Sequence, residues 1–150
     1  MAKHTHSITK TYWFSAAHML VGHPKCGRMH GHNYRVDVTV AADLHSGSRV
    51  KARHNWVMDF ADLDLVVKPI LERFDHKFIA TQADELGEPG WKVSVVARTR
   101  DVVFAETLDS TAESLAEWFG YEIGMKLGPS PHLTEVTVWE TPKSRATWTP

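Results

Sequence analysis

A single α+β domain built on an antiparallel sheet is the fold that three features of this 150-residue sequence predict. Two early stretches alternate apolar and polar residues at period two, as half-buried strands do. Two later stretches repeat apolar residues at helical spacing. The segments follow the order strand, strand, helix, two short strands, helix, strand, which suits helices packed on an antiparallel sheet. A chain of this length forms one domain, residues 1–150, and buries roughly two thirds of its unfolded surface.

The first strand is Ile8 to His18, with Tyr12, Phe14, Ala16 and His18 on one face. A loop rich in Gly, Pro and Lys (21–29) leads to the clearest strand, His30 to Ala42. There Tyr34, Val36, Val38 and Val40 share one face, and Arg35, Asp37 and Thr39 the other. Leu44 to Ser48, with Gly47, reads as a turn, and Asn55 to Met58 as a resumed extended segment. Asp59 to Phe74 is an amphipathic helix with Phe60, Leu63, Val66, Val67, Ile70, Leu71 and Phe74 on its apolar face. Asp59 suits the N-cap, Asp62 and Asp64 suit the first turn, and Pro69 should kink or divide the helix. Lys92 to Ala97 and Val102 to Thr107 read as short strands, as in a hairpin. The second helix, Thr111 to Leu127, carries Leu115, Trp118, Phe119 and Ile123 on one stripe, with Ser110 and Glu113 as a capping box. Leu133 to Thr141 is the last strand, alternating through Val136, Val138 and Glu140.

Composition narrows the function classes. With 17 basic against 18 acidic residues and a formal net charge of -1, the chain lacks the charge excess of a nucleic-acid or polybasic membrane binder. Hydrophobic content of 43% with 23% charged residues is that of a folded soluble protein. Met1 to Lys10 is polar and has no apolar signal core, and no apolar run reaches the ~20 residues of a membrane span. The expectation is a cytoplasmic, reduced protein. Its lone cysteine excludes an internal disulfide and a Cys-rich zinc site. The ten histidines are the unusual count.

His30-Gly31-His32 heads the second strand, so both imidazoles point the same way. If the first two strands pair through their loop, His18 comes opposite them. Three neutral imidazoles without a carboxylate suit Zn²⁺ and leave a fourth position open. The competing reading is that each histidine acts locally, as expected for His4, His6, His23, His45, His54 and His132.

Cys26 lies four residues before His30, beside Lys25 and Arg28, which favour a thiolate; a lone cysteine is otherwise a small buried hydrophobe. Asp75 and His76 close the first helix and form a carboxylate–imidazole pair suited to acid/base work, or simply a charged helix end. Glu140 shares the parity of Val136 and Val138, which carries a carboxylate onto the core face. That placement is costly unless the group is paired, and the edge of a guanidine-like heterocycle would match it with two parallel hydrogen bonds. The alternative is a strand-end glutamate in solvent.

Taken together, the chain resembles the 6-pyruvoyl-tetrahydropterin synthase superfamily, and within it the 6-carboxy-tetrahydropterin synthases of 7-deazaguanine (queuosine-type) biosynthesis. The resemblance rests on Phe14-Ser-Ala-Ala-His18, Cys26-Gly-Arg-Met-His30-Gly-His32-Asn-Tyr34, Met58-Asp-Phe-Ala-Asp-Leu63, Phe74-Asp-His76, Ser110-Thr-Ala-Glu113 and Trp139-Glu-Thr141, all in the family's order. It implies that His18, His30 and His32 hold a catalytic zinc. It also implies that Cys26 abstracts a proton and that Asp75 and His76 form a relay with it. Glu140 would anchor a pterin through its 2-amino and N3 edge, with Thr111 and the backbone of Ala112 contributing.

Three residues separate Cys26 from His30, the spacing of the 6-carboxy enzymes, whereas the animal 6-pyruvoyl enzymes have five. A further subgroup carries glutamate in place of the cysteine. The implied fold is the tunnelling fold, an antiparallel sheet with two helices on one face. The implied assembly is a homo-hexamer of two stacked trimers with active sites between subunits. The implied reaction converts 7,8-dihydroneopterin triphosphate to 6-carboxy-5,6,7,8-tetrahydropterin, acetaldehyde and triphosphate, with a pterin triphosphate as the only partner besides further copies of the chain. A 6-pyruvoyl synthase and a non-catalytic pterin- or zinc-binding module are the alternatives. Residues 80–108 form a longer segment than compact bacterial members have, placed to act as a hairpin over the site or as an assembly contact.

Overall fold

The computed structural model describes residues 3–45, 56–81, 101–107 and 109–150. Its first two strands, β1 (Lys3–His18) and β2 (His30–His45), form an antiparallel pair in continuous register from Lys3↔His45 to His18↔His30. Both are longer than the alternating patterns predict, so Leu44 and His45 belong to β2 rather than to a turn. Helix α1 (Phe60–Leu71) follows, then β3 (Lys77–Ala80), β4 (Val102–Phe104), α2 (Ala112–Lys126), β5 (His132–Thr141) and β6 (Ser144–Trp148).

The strands form one sheet in the order β4-β3-β1-β2-β5-β6. Its body, β1-β2-β5-β6, is antiparallel as expected, whereas β3 joins β1 and β4 joins β3 in parallel. Val102–Phe104 is therefore a strand, but its partner is β3. Lys92–Ala97 lies outside the described residues, as does most of the long 80–108 segment. Trp56 to Met58 is a bend and not an extended strand.

The period-two pattern works because one face of the sheet receives both helices. Tyr12, Phe14 and Ala16 of β1, and Tyr34, Val36, Val38 and Val40 of β2, share one core with Leu63, Val67 and Ile70 of α1 and Leu115, Phe119 and Ile123 of α2. Phe14 stacks on Tyr34 at 4.9 Å and meets Phe74 and Phe119 edge-on. Each such side chain contributes about 1.5–3 kcal/mol by leaving water. Gly120 lets α2 approach β6, since a Cβ there would lie 2.2 Å from the Trp148 ring.

Asp59 caps α1 as expected, accepting from the Ala61 N–H at 2.8 Å. Pro69 does not divide the helix. The carbonyl that its missing N–H would have met belongs to Leu65, which is 76% exposed and can turn to water. Phe60, expected in the core, is about half exposed. The helix ends at Leu71, earlier than predicted. Phe74 stays fully buried while the chain turns through Glu72–His76 to reach the edge of β1. Among the described residues no helix is long and apolar enough to cross a membrane.

Candidate metal centre and pterin site

The β1–β2 register sets His18 directly opposite His30, and His32 opposite Ala16 on the same face. The three rings meet with centroids 4.5–5.1 Å apart, and one ligand atom from each lies within 4.8 Å of the others. Gly31 permits this closeness, because a Cβ there would stand 2.9 Å from the Ala16 carbonyl oxygen.

Each ring is turned by a main-chain carbonyl. His18 Nδ1 lies 3.0 Å from the Ser110 carbonyl oxygen and 3.1 Å from its hydroxyl, and His30 Nδ1 lies 2.7 Å from the Arg28 carbonyl. The backbone of Glu140 hydrogen-bonds the His32 ring. The Nε2 atoms of His18 and His32 are buried without a hydrogen-bond partner among the described residues. Burial pushes His18 down to about 4, with its imidazole neighbours adding to the effect, and lowers His32 in the same way. Neutral imidazoles with buried, unpartnered nitrogens facing one point fit a zinc ion. Cys26 is not in this cluster.

Asp75 and His76 follow α1 rather than ending it. His76 is held at φ 58, and its N–H donates to the Ser15 carbonyl at 2.6 Å. Asp75 Oδ1 accepts from the Ser15 N–H and Oδ2 from His76 Nδ1, both at 2.8 Å. The Ser15 N–H is the main cause holding the Asp75 carboxyl below its usual range, with His76 helping. The His76 ring is 82% exposed and borders a cavity of about 590 Å³ with Ser15, Gly31 and His32.

Glu140 is half-buried at the end of β5, in line with the parity of Val136 and Val138. The β5–β6 register runs from Trp139↔Arg145 to Thr141↔Ser144, leaving Glu140 as the extra residue of a bulge. Such bulges re-aim a side chain. Burial raises the Glu140 carboxyl, and the charge of Glu113 raises it further. Its cavity, about 570 Å³, is also lined by Trp13, Arg35, Trp139 and the same Gly31-His32-Asn33 segment. His32 thus lines both the cavity bordered by His76 and the cavity bordered by Glu140.

The sequence matches the family description "6-pyruvoyl tetrahydropterin synthase" over residues 7–150. The chain belongs to that family. Among curated relatives, the 6-carboxy-5,6,7,8-tetrahydropterin synthase of Haemophilus influenzae is 32% identical over 139 residues, covering 91% of this chain and 94% of that one. The protein of the same name from Rickettsia bellii is 33% identical, covering 89% and 93%. The fold of the 6-pyruvoyl tetrahydropterin synthase from Caenorhabditis elegans superposes with a TM-score of 0.67 at 25% identity, covering 100% of this chain and 97% of that one. The Plasmodium vivax enzyme does so with 0.74 at 20%, covering 98% of each. These likenesses establish the tunnelling fold.

The remaining predicted site residues are less central. Cys26 is half-buried in a knotted turn where its N–H donates to His23 Nδ1 at 2.9 Å and its carbonyl accepts from Leu20. Thr111, and not Ser110, is the N-cap of α2; its hydroxyl accepts from the Ser114 N–H and donates to Asp109. Ser110 is displaced from capping because it is fully buried against His18. Ala112 is a core residue. Neither Thr111 nor Ala112 is among the described residues lining the Glu140 cavity. The residue pattern left Glu113 unmarked as a charge neighbour of Glu140, and Trp13 and Trp139 unmarked as cavity walls. It also missed the buried Tyr34 hydroxyl, which has no partner among the described residues.

Proposed function

We propose that this protein is a zinc-dependent lyase that converts 7,8-dihydroneopterin triphosphate and one water to 6-carboxy-5,6,7,8-tetrahydropterin, acetaldehyde and triphosphate, in 7-deazaguanine biosynthesis. The observation that carries the reading is His32. It is one of three converging imidazoles, and it lines both the cavity that His76 borders and the cavity that the bulged Glu140 borders.

His18, His30 and His32 would hold the ion through Nε2. Bound there, zinc supplies a Lewis acid that lowers the pKa of the substrate's side-chain hydroxyls. Glu140 accepts hydrogen bonds from the 2-amino and N3 edge of the pterin, a bidentate match that fixes the ring against the metal site. Cys26, as thiolate, takes the proton whose removal starts the tautomerisation between ring and side chain. His76 Nδ1 donates to Asp75, so its Nε2 offers a lone pair to solvent and substrate and can accept and return a proton.

An assembly of trimers paired into a hexamer completes the site by bringing Glu140 of one copy toward Cys26 of another. It is supported by β1, whose residues 3–14 pair with β2 and with no other described strand. The names of the curated relatives and the Cys26–His30 spacing favour the carboxy product over the pyruvoyl one. Incubation with 7,8-dihydroneopterin triphosphate, followed by mass analysis, tests the choice. Release of acetaldehyde with a 6-carboxy product supports it. A 6-pyruvoyl product without acetaldehyde points to the alternative reaction, and no turnover points to a binding module.

A further inference from the structure

We propose that Ser110 is the positioning residue of the three-histidine centre, its carbonyl and hydroxyl together fixing the tautomer and orientation of His18. The inference rests on reading His18, His30 and His32 as a metal site. Ser110 is wholly buried, where a hydroxyl is costly unless it is hydrogen-bonded. Its capping role has passed to Thr111, which leaves its side chain available for another purpose.

The hydrogen-bond arithmetic admits one arrangement. A carbonyl oxygen only accepts, so the Ser110 carbonyl at 3.0 Å requires a proton on His18 Nδ1. The Ser110 hydroxyl donates its single hydrogen to the Met19 carbonyl at 3.3 Å. Its lone pairs are then left to share the same Nδ1–H at 3.1 Å. The neutral ring therefore carries its lone pair on Nε2, the buried atom that faces His30 and His32.

His30 is oriented by the Arg28 carbonyl and His32 by the backbone of Glu140, neither of which depends on its own side chain. Ser110 is the one orienting group of the three with a side chain in the contact. It also links the end of β1 to the start of α2. There Asp109 accepts from the Thr111 N–H, the Thr111 hydroxyl and the Ser114 hydroxyl, making the lead-in to the helix rigid.

The test is zinc affinity of the metal-stripped full chain, read by competition with a chromophoric chelator. It is paired with nitrogen-15 NMR of the histidine rings before zinc is added. Loss of an orienting partner costs a metal site roughly ten- to a hundredfold in affinity. Ser110→Ala keeps the carbonyl contact, so the expected loss is at the lower end, about tenfold. The Nδ1–H form should persist at His18, because the retained carbonyl still requires it, and Ser110→Thr, which keeps a hydroxyl, should recover affinity. Wild-type His18 should show only the Nδ1–H form, a result that needs no variant and decides the matter if Ser110→Ala fails to fold. An Nε2–H tautomer in the wild type, or Ser110→Ala binding zinc as the wild type does, overturns the role of Ser110. A wild-type chain that takes up no zinc overturns the metal-centre reading itself, which separates the two failures.

Discussion

Replacing Asp75 by Asn isolates the proposed relay, because the change separates turnover from stability. Asp75 Oδ1 accepts from the Ser15 N–H at 2.8 Å, and an amide oxygen can take over that role. The amide NH₂ then faces His76 Nδ1, which lies 2.8 Å from Oδ2. Two donors cannot share that contact, so the ring switches to the Nε2–H form and loses its lone pair where the substrate needs it. A positioned acid/base group contributes roughly 10²–10⁴ in rate, about 3–5 kcal/mol of barrier.

Stability should hardly move. The His76 ring is 82% exposed and the Asp75 side chain 42%, and exposed ion pairs contribute about 0–1 kcal/mol. The Asp75 carboxyl is depressed, mainly by the Ser15 N–H, so its contribution is present above the unfolded-state pKa of about 3.9. That contribution is lost only as pH falls through the lower folded-state value. At pH 7–8 the variant should fall roughly a hundredfold or more in kcat while melting within a few degrees of the wild type. Unchanged kcat with an intact fold would refute the relay.

Four further outcomes follow from the same geometry. Glu140→Gln should weaken binding of a non-reacting oxidised pterin about ten- to a hundredfold by fluorescence quenching, since hydrogen bonds to a charged group are worth about 1.5–3 kcal/mol. In the wild type, burial and Glu113 raise the Glu140 carboxyl, so affinity should fall with acidification at a higher pH than an ordinary glutamate dictates; pH-independent binding counts against an anchoring carboxylate. Cys26→Ala should abolish turnover yet keep zinc and pterin affinity, and measurable normal turnover removes Cys26 as the base. His76→Gly should be about 1 kcal/mol more stable than His76→Ala in urea, because residue 76 sits at φ 58; equal stabilities would contradict that backbone assignment.

Much of this site was readable from residue spacing because strand parity is rigid. Period two puts His30 and His32 on one face, and the opposing register then delivers His18. The same parity brings Glu140 to the core side. What escaped the sequence depends on contacts far apart in the chain. Ser110 looks like the first residue of a capping box, yet it is claimed by His18, 92 residues away. Asp75 and His76 look like a helix end, yet their hydrogen bonds to Ser15 pull them to the β1 edge and into a left-handed turn. Strand β3 has only four residues, too few for an alternation to show. The bulge at Glu140 arises from pairing with β6, a strand whose sequence is too polar to announce itself.

As proposed above, His18, His30 and His32 form a metal centre on which pterin turnover depends. Titrating zinc into the stripped protein while following consumption of 7,8-dihydroneopterin triphosphate tests it most directly. Activity should rise from near zero and level off at about one zinc per chain, with His30→Ala neither binding zinc nor responding. Full turnover in the stripped protein, or in His30→Ala, would contradict the claim.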